Sequence, residues 1–158
     1  MKVIVDTNVA LSGLLWQGPP NQILKWAREG VLEIVACEET VAELKRVLGY
    51  RRFSKRLIEL RTSPVEAAAY YINLALFVPT PEFLPDRISE DPFDNLFLAL
   101  ASENNARLII SGDHHLLELK AYSEIQIVTP SEACQVIERL VHPNVAKVEE
   151  AVDPRRQG

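Results

Sequence analysis

Short apolar runs alternate with stretches of helical periodicity along most of the chain. Buried strands are predicted at short, mostly apolar runs, at residues 2–6, 31–36, 107–111 and 125–128. Helices are predicted where apolar residues recur at helical spacing, at residues 20–30, 38–48, 52–61, 64–76, 91–104 and 130–140. Strands that alternate with helices predict an α/β fold, a parallel sheet with helices on both faces.

The chain is predicted to form one domain, because its 158 residues are enough for a single hydrophobic core. The globular domain is expected over residues 1–142 and a flexible, polar tail over residues 143–158. Residues 77–90 are rich in proline and predict a loop inside the domain, with at most a short strand near Phe77 and Val78.

Composition narrows the class of protein. Hydrophobic residues make up 47% and charged residues 25%, which fits a globular protein. No apolar run approaches the ~18 residues of a membrane span, and Asp6 argues against a signal peptide. We therefore expect a cytoplasmic location without membrane contact. Cys37 and Cys134 are isolated, which predicts small buried hydrophobes rather than a zinc site.

Two predicted strands are followed by an aspartate, Asp6 after the first and Asp113 after residues 107–111. Ligands of open α/β sheets bind outside the carboxyl ends of the strands. If the two strands are neighbours, these carboxylates converge at one edge of the sheet. The alternative is structural, because aspartate is also favoured in the turns that end strands.

Asp94 lies near the start of a helix that is apolar almost all round. A capping role is predicted here, with Asp91 as N-cap, Pro92 at the first helical position and Asp94 at the third. Yet a carboxylate on a buried helix face is costly unless a cation or hydrogen bonds compensate its charge. Capping and metal binding are compatible, and both are retained for Asp91 and Asp94.

Glu43 is a further acid, on the helix predicted at residues 38–48. Periodicity alone places it at the edge of the apolar stripe and does not favour it over Glu38 or Glu39. A cluster of such carboxylates suits Mg²⁺ or Mn²⁺, hard ions that prefer oxygen ligands. Such ions activate water and neutralise charge on a phosphate.

The net charge of −5 hides a basic stretch between residues 45 and 61. It holds seven of the 17 lysines and arginines, namely Lys45, Arg46, Arg51, Arg52, Lys55, Arg56 and Arg61. A charge run is usually a solvated helix surface, but beside an acidic site it would guide a polyanion. His114 and His115 could contact a phosphate, although a loop histidine is more often merely solvated.

Four short motifs, taken in order, resemble PIN-domain nucleases, specifically their toxin-like (VapC-like) prokaryotic branch. The resemblance covers about residues 1–140. It rests on Val-Ile-Val-Asp6-Thr7-Asn8, Val41-Ala42-Glu43-Leu44, Asp91-Pro92-Phe93-Asp94-Asn95 with the apolar helix that follows, and Ile-Ile-Ser111-Gly112-Asp113.

This resemblance implies a site, a fold and an activity. It makes Asp6, Glu43, Asp94 and Asp113 a catalytic quartet that binds Mg²⁺ or Mn²⁺, adds Asp91 as an extra acid, and gives supporting roles to Asn8, Asn95 and Ser111. The implied fold is a three-layer α/β/α sandwich with a roughly five-stranded parallel sheet. The implied activity is cleavage of RNA to 5′-phosphate and 3′-hydroxyl ends, with a small antitoxin protein and a second copy of the chain as partners.

Two features depart from the family pattern, and two other functions are alternatives to a nuclease. Ser111 replaces the more usual Thr, and the insert between Glu43 and Asp94 is longer than in compact toxins. An aspartyl phosphatase is disfavoured because Asn8 stands where that chemistry needs a second Asp. A catalytically silent PIN-like module that binds RNA or protein is the other alternative. For a nuclease, Arg51, Arg52 and Arg56 are the predicted RNA-binding residues.

Overall fold

The computed structural model describes residues 1–87, 91 and 93–143. Its helices are α1 (Thr7–Leu15), α2 (Pro19–Arg28), α3 (Glu38–Leu48), α4 (Ser54–Glu59), α5 (Pro64–Leu74), α6 (Asp94–Glu103), α7 (His114–Leu117) and α8 (Pro130–Val141), with a 3-10 turn at Arg51–Phe53. Its strands are β1 (Lys2–Val5), β2 (Glu33–Ala36), β3 (Ala75–Phe77), β4 (Leu108–Ile110), β5 (Ala121–Tyr122) and β6 (Ile125–Val128). Almost all of the predicted tail, residues 144–158, lies outside the described residues.

The described strands form one sheet in the order β3-β2-β1-β4-β6-β5. Every neighbouring pair is parallel except β5 and β6, which are antiparallel. The predicted α/β fold is confirmed, but the sheet has six strands and is mixed rather than five-stranded and parallel. The added edge strand is only two residues long, too short to give a periodic signal.

The central strands are mostly apolar because both faces of the sheet are covered there. Alternate residues of β1 enter different cores: Val3 and Val5 pack with α1, α2, α3, α5 and α8, whereas Ile4 packs with α6 and α7. The same alternation holds for β4, where Ile109 joins the second core. These two cores make the fold a three-layer sandwich, as the sequence predicts.

The order of the strands creates a crevice beside β1. The chain passes from β1 to β2 and β3 on one side, and then returns to place β4 on the other side of β1. In the register of these two strands, Val5 lies opposite Ile110. Ligands of open α/β sheets bind at such a reversal of strand order, and Asp6 and Ser111 are the residues that leave the sheet there.

Helix α1 is absent from the sequence predictions. Its buried residues occur on all sides, so no single apolar stripe marks it. Gly13 explains how α2 packs so closely against it: a Cβ at this position would come within 2.8 Å of both Leu24 Cδ1 and the Pro20 carbonyl oxygen. The helix predicted over residues 52–61 is also shorter than expected, because α4 ends at Glu59 and Arg61 has a positive φ of 55°.

The predicted cap of the apolar helix is wrong. Helix α6 begins at Asp94 with Phe93 as N-cap, so Asp94 occupies the first helical position. Asp91 instead forms a local turn, in which its Oδ1 accepts a hydrogen bond from the Phe93 N–H at 3.0 Å. Short acidic side chains favour such turns over continued helix. Pro92 lies outside the described residues.

Two simpler predictions are confirmed in part. Cys37 is fully buried as predicted, whereas Cys134 is only partly buried, and both cysteines are free thiols. In the described part of the predicted loop, Phe77 ends strand β3, and residues 78–87 contain neither helix nor strand. The helix predicted over residues 64–76 is too long, because α5 ends at Leu74 and residues 75 and 76 belong to β3. Within the described ranges, no helix is long and apolar enough to cross a membrane.

Candidate metal centre

A cleft of about 100 Å³ opens at the carboxyl edge of the sheet, where β1 and β4 end. The volume exceeds the ~30 Å³ share of one water molecule in the liquid. All five predicted acids line it. The full lining is Asp6, Thr7, Asn8, Glu43, Val47, Asp91, Phe93, Asp94, Phe97 and Asp113.

Asp6 is held rigidly between β1 and α1. Its backbone N–H donates to the Ile110 carbonyl at 3.0 Å, and its Oδ1 caps α1 by accepting from the Val9 N–H at 2.8 Å. Its Oδ2 accepts a hydrogen bond from the Ser111 hydroxyl. Burial raises the pKa of this carboxyl and the charge of Asp113 adds to the effect, although the bonds from Ser111 and Val9 oppose it.

Asp113 lines the cleft, and Ser111 lies buried behind it. Ser111 is fully buried, and its Oγ accepts a hydrogen bond from the Asp113 N–H at 2.9 Å. The Asp113 Oδ1 in turn caps α7 by accepting from the His115 N–H at 2.9 Å. One hydroxyl therefore fixes the position of two candidate ligands, as expected for a supporting residue.

Asp94 is a buried acid with one carboxyl oxygen that lacks a hydrogen-bond partner among the described residues. Its side chain is 5% exposed, and its Oδ2 is buried without a hydrogen-bond partner among the described residues. Burial raises its pKa to about 7, helped by a hydrogen bond with Asp113 and by the charges of Asp91, Asp113 and Asp6. A buried oxygen of this kind lacks compensation, which a bound cation would provide.

Glu43 differs from the other acids because it has a cation already. Arg46, one turn later on α3, donates from Nε to Oε2 at 3.0 Å and from Nη2 to Oε1 at 2.6 Å. Both carboxylate oxygens are thus occupied by one guanidinium in a two-pronged pair. A metal at Glu43 has to share this carboxylate with Arg46 or displace it.

The donor set fits a hard divalent ion. The cleft presents carboxylate oxygens, and the unpartnered Asp94 Oδ2 supplies a ligand atom that no described residue occupies. Within the described part of the chain, the group whose ligand atoms all lie within 4.8 Å of one another is Asp113 with His114 and His115. The four predicted acids share the cleft without forming so tight a cluster.

The remaining predicted supporting residues lie nearby. Asn8 is exposed on the rim of the cleft. Asn95 is buried, and its Oδ1 accepts a hydrogen bond from the Arg87 N–H at 3.1 Å, which anchors the segment ahead of α6. Support of Asp94 by Asn95 stays a prediction.

Sequence reasoning missed several residues of the site. Arg46 belongs to the basic stretch in the sequence, although its spacing of three from Glu43 on one helix is a recognised pairing signal. Phe93 and Phe97 meet edge to face with ring centroids 5.6 Å apart and form an apolar wall of the cleft. Their aromatic character gave no signal, because the helix is apolar on every side.

The basic stretch divides into two kinds of arginine. Arg51 and Arg52 are exposed, and the Arg52 guanidinium lies over the rings of Tyr50 and Phe53. Arg56 is held within the fold, since its Nε donates to the Leu15 carbonyl at 2.7 Å and its Nη1 pairs with Glu59 at 3.3 Å. RNA contact by Arg56 therefore requires these bonds to break.

Comparison with known proteins agrees with this geometry. The family model of the PIN domain matches residues 2–115, which span β1 to the start of α7 and include every acid of the cleft. No curated protein matches the chain.

Proposed function

The chain belongs to the PIN domain family, and from this premise we propose that it is a metal-dependent ribonuclease. PIN domains are generally nucleases that use divalent metal ions, so the family supports a nuclease-type function. The finer proposal is hydrolysis of RNA phosphodiester bonds to 5′-phosphate and 3′-hydroxyl ends. The observation that carries it is the buried, unpartnered Oδ2 of Asp94 in a cleft lined by further acids.

The proposed ligands are Asp6, Glu43, Asp94 and Asp113, with Asp91 at the rim, and the proposed ion is Mg²⁺ or Mn²⁺. When bound, such an ion neutralises charge on the scissile phosphate and lowers the pKa of water. In its absence, burial and then the mutual repulsion of the carboxylates raise the pKa values of Asp6 and Asp94.

The residues of the chain orient and shield this site. Ser111 and the Val9 N–H fix the two oxygens of Asp6. Phe93 and Phe97 exclude water from one wall, which strengthens electrostatic interactions within the cleft. Arg46 holds Glu43 in place. A metal ion would compete with Arg46 for the Glu43 carboxylate, and a phosphate would compete with Glu43 for the Arg46 guanidinium.

The biological setting is proposed from the family resemblance. We propose that the protein is the cytoplasmic toxin of a toxin–antitoxin pair, that it acts as a homodimer and that a small antitoxin protein silences it. A short reading frame next to its gene that relieves growth arrest on co-expression would support this role. An unchanged growth arrest would count against that partner.

The first experiment is cleavage of a labelled mixed RNA pool with Mn²⁺ or EDTA. Wild type, Asp94→Asn and Asp86→Asn are compared, because Asp86 is an exposed aspartate that does not line the cleft. We expect cleavage by wild type and Asp86→Asn with Mn²⁺ alone, leaving 5′-phosphate ends. Equal cleavage by Asp94→Asn would refute the assigned site. Binding of RNA without cleavage by the wild type would favour the silent PIN-like module.

A further inference from the structure

A row of aromatic and guanidinium groups in contact with one another runs from Trp16 to the cleft. We propose that Trp16, Phe53, Arg52, Tyr50 and Arg46, here called the stacking track, bind single-stranded RNA and lead it to the acids. The inference deepens the proposed ribonuclease function and rests on it, because it names the residues outside the cleft that would contact the RNA.

The contacts of the track are continuous. The Trp16 and Phe53 rings meet edge to face, with centroids 6.2 Å apart. The Arg52 Cζ lies 4.8 Å from the Phe53 centroid and 5.3 Å from that of Tyr50. The Arg46 Cζ lies 5.4 Å from the Tyr50 centroid. Each planar group thus touches the next one.

The last contact joins the track to the cleft. Arg46 donates hydrogen bonds both to the Tyr50 hydroxyl and to the carboxylate of Glu43. Glu43 and Val47, which lie on either side of Arg46 in α3, both line the cleft. A strand that follows the track would therefore arrive at the candidate metal ligands.

Three of the five planar groups of the track are exposed to solvent, whereas Tyr50 is half-buried and Phe53 is buried. The Trp16 residue is 43% exposed, the Arg46 side chain is 59% exposed, and Arg52 is exposed. Phe53 is buried and serves as the anchor on which the others rest. Aromatic and guanidinium planes with a free face are the surfaces on which unpaired bases stack.

Charge complements this stacking. Arg52 forms no ion pair with any described carboxylate, and Arg51 beside it is exposed and likewise without such a pair. Phosphates of a strand whose bases lie on the rings would meet these cations. A duplex would use the charges only, because its bases already stack on one another. The combination favours single strands over duplexes.

The test measures RNA binding in EDTA, where cleavage by the proposed nuclease is absent. The probe is a short, unstructured, fluorescently labelled oligoribonucleotide, compared by anisotropy with the same strand annealed to its complement. The variants are Tyr50→Leu, which removes a ring, and Arg52→Lys, which keeps the charge but loses the plane. Tyr50→Phe keeps the ring. Tyr122→Leu is the matched control, because Tyr122 is also a half-buried tyrosine but lies in the edge strand β5.

We expect Tyr50→Leu and Arg52→Lys each to weaken binding of the single strand by roughly tenfold, with an unchanged effect of salt. Tyr50→Phe and Tyr122→Leu are expected to bind as the wild type does. Duplex binding should be weaker and insensitive to Tyr50→Leu. If Tyr50→Leu fails to fold, Arg52→Lys on the exposed surface gives the answer.

Three outcomes would overturn the track: wild type that does not bind the single strand, equal losses in Tyr122→Leu and Tyr50→Leu, or full binding by both track variants. Failure of the proposed function is distinguishable from these. If the protein binds RNA through the track but does not cleave it in Mn²⁺, the track proposal stands and the ribonuclease proposal fails.

Discussion

Ser111 donates a hydrogen bond from its hydroxyl to the carboxylate of Asp6, across the reversal of strand order between β1 and β4. The two residues are 105 positions apart in sequence and both are buried. The same hydroxyl accepts from the Asp113 N–H at 2.9 Å. The two carboxyl ends of these strands are therefore linked by a side chain, and not only by the ladder of the sheet.

Replacement of Ser111 by alanine should both destabilise the fold and weaken the metal site. The buried Asp6 Oδ2 would lose its donor, which costs about 1–3 kcal/mol of unfolding free energy. Mn²⁺ affinity should fall by about tenfold or more, because residues that orient a ligand contribute 10- to 100-fold. Urea unfolding and Mn²⁺ titration measure the two effects. Ser111→Thr keeps the hydroxyl and is the control; a loss of Mn²⁺ affinity equal to that of Ser111→Ala would contradict the role of the hydrogen bond.

Asp94→Asn should stabilise the metal-free protein and remove its response to metal. The substitution removes a buried charge that Asp91, Asp113 and Asp6 repel. In the wild type, this charge needs a bound cation to compensate it. At 100 times its dissociation constant, an ion adds about 2.7 kcal/mol, so saturating Mn²⁺ should raise the wild-type melting temperature by roughly 5–10 °C. Calorimetry with and without EDTA tests both statements, with Asp86→Asn as the control. A wild-type melt indifferent to Mn²⁺ would count against the assembled site.

The stability of the metal-free protein should increase as the pH falls from about 8 to about 4. The pKa of Asp94 is about 7 in the folded chain, against about 3.9 in an unfolded one. The folded state thus binds more protons in this window, and linkage makes the unfolding free energy decrease as pH rises. Stability from this protonation is complete below the unfolded pKa and is lost as pH rises through about 7. Asp6 contributes in the same direction.

Urea unfolding in EDTA across this pH window measures the effect. The change of the unfolding free energy with pH should be smaller in Asp94→Asn, which cannot titrate at that position. It should also be smaller in saturating Mn²⁺, because the ion competes with the proton. An equal slope in wild type and Asp94→Asn would show that other groups control the pH dependence.

The sequence predicted the fold well where one physical signal dominated. Helix α3 and strand β6 have the predicted bounds, because a regular apolar stripe and a short run rich in β-branched residues are each clear signals. Helix α1 was missed because it is buried on all sides. The predicted start of α6 was wrong because the Asp91 carboxylate accepts a hydrogen bond from the Phe93 N–H in a local turn and does not cap the helix.

The candidate site was predictable in part. Asp6 and Asp113 follow from the rule for the carboxyl ends of parallel strands, since β1 and β4 are neighbours. Glu43 was selected only by the family resemblance, and its two-pronged pair with Arg46 depends on rotamers that a sequence does not specify. The stacking track likewise needs tertiary structure, because Trp16 and Phe53 are far apart in the chain.

Arg56 should contribute to stability rather than to RNA binding. Its Nε bond to the Leu15 carbonyl joins the start of α4 to the end of α1, so Arg56→Gln should lower the unfolding free energy by about 1 kcal/mol. The exposed Arg51 side chain forms no hydrogen bond with another described residue. Arg51→Gln should leave stability unchanged and reduce the slope of log affinity against log salt concentration by about one. Urea unfolding and anisotropy at several salt concentrations compare them. Unchanged stability in Arg56→Gln would restore it as a candidate RNA contact.

Arg46→Met should separate metal binding from RNA binding, because Arg46 sits between the two. The substitution frees both Glu43 oxygens and removes a cation that opposes a metal ion, so Mn²⁺ should bind about two- to fivefold more tightly. Single-stranded RNA should bind more weakly, because the guanidinium stacked on Tyr50 is lost. Mn²⁺ titration and RNA anisotropy in EDTA measure the two effects, with Arg28→Met as a control outside the cleft. Weaker Mn²⁺ binding in Arg46→Met alone would mean that Arg46 positions Glu43 for the metal rather than competing with it.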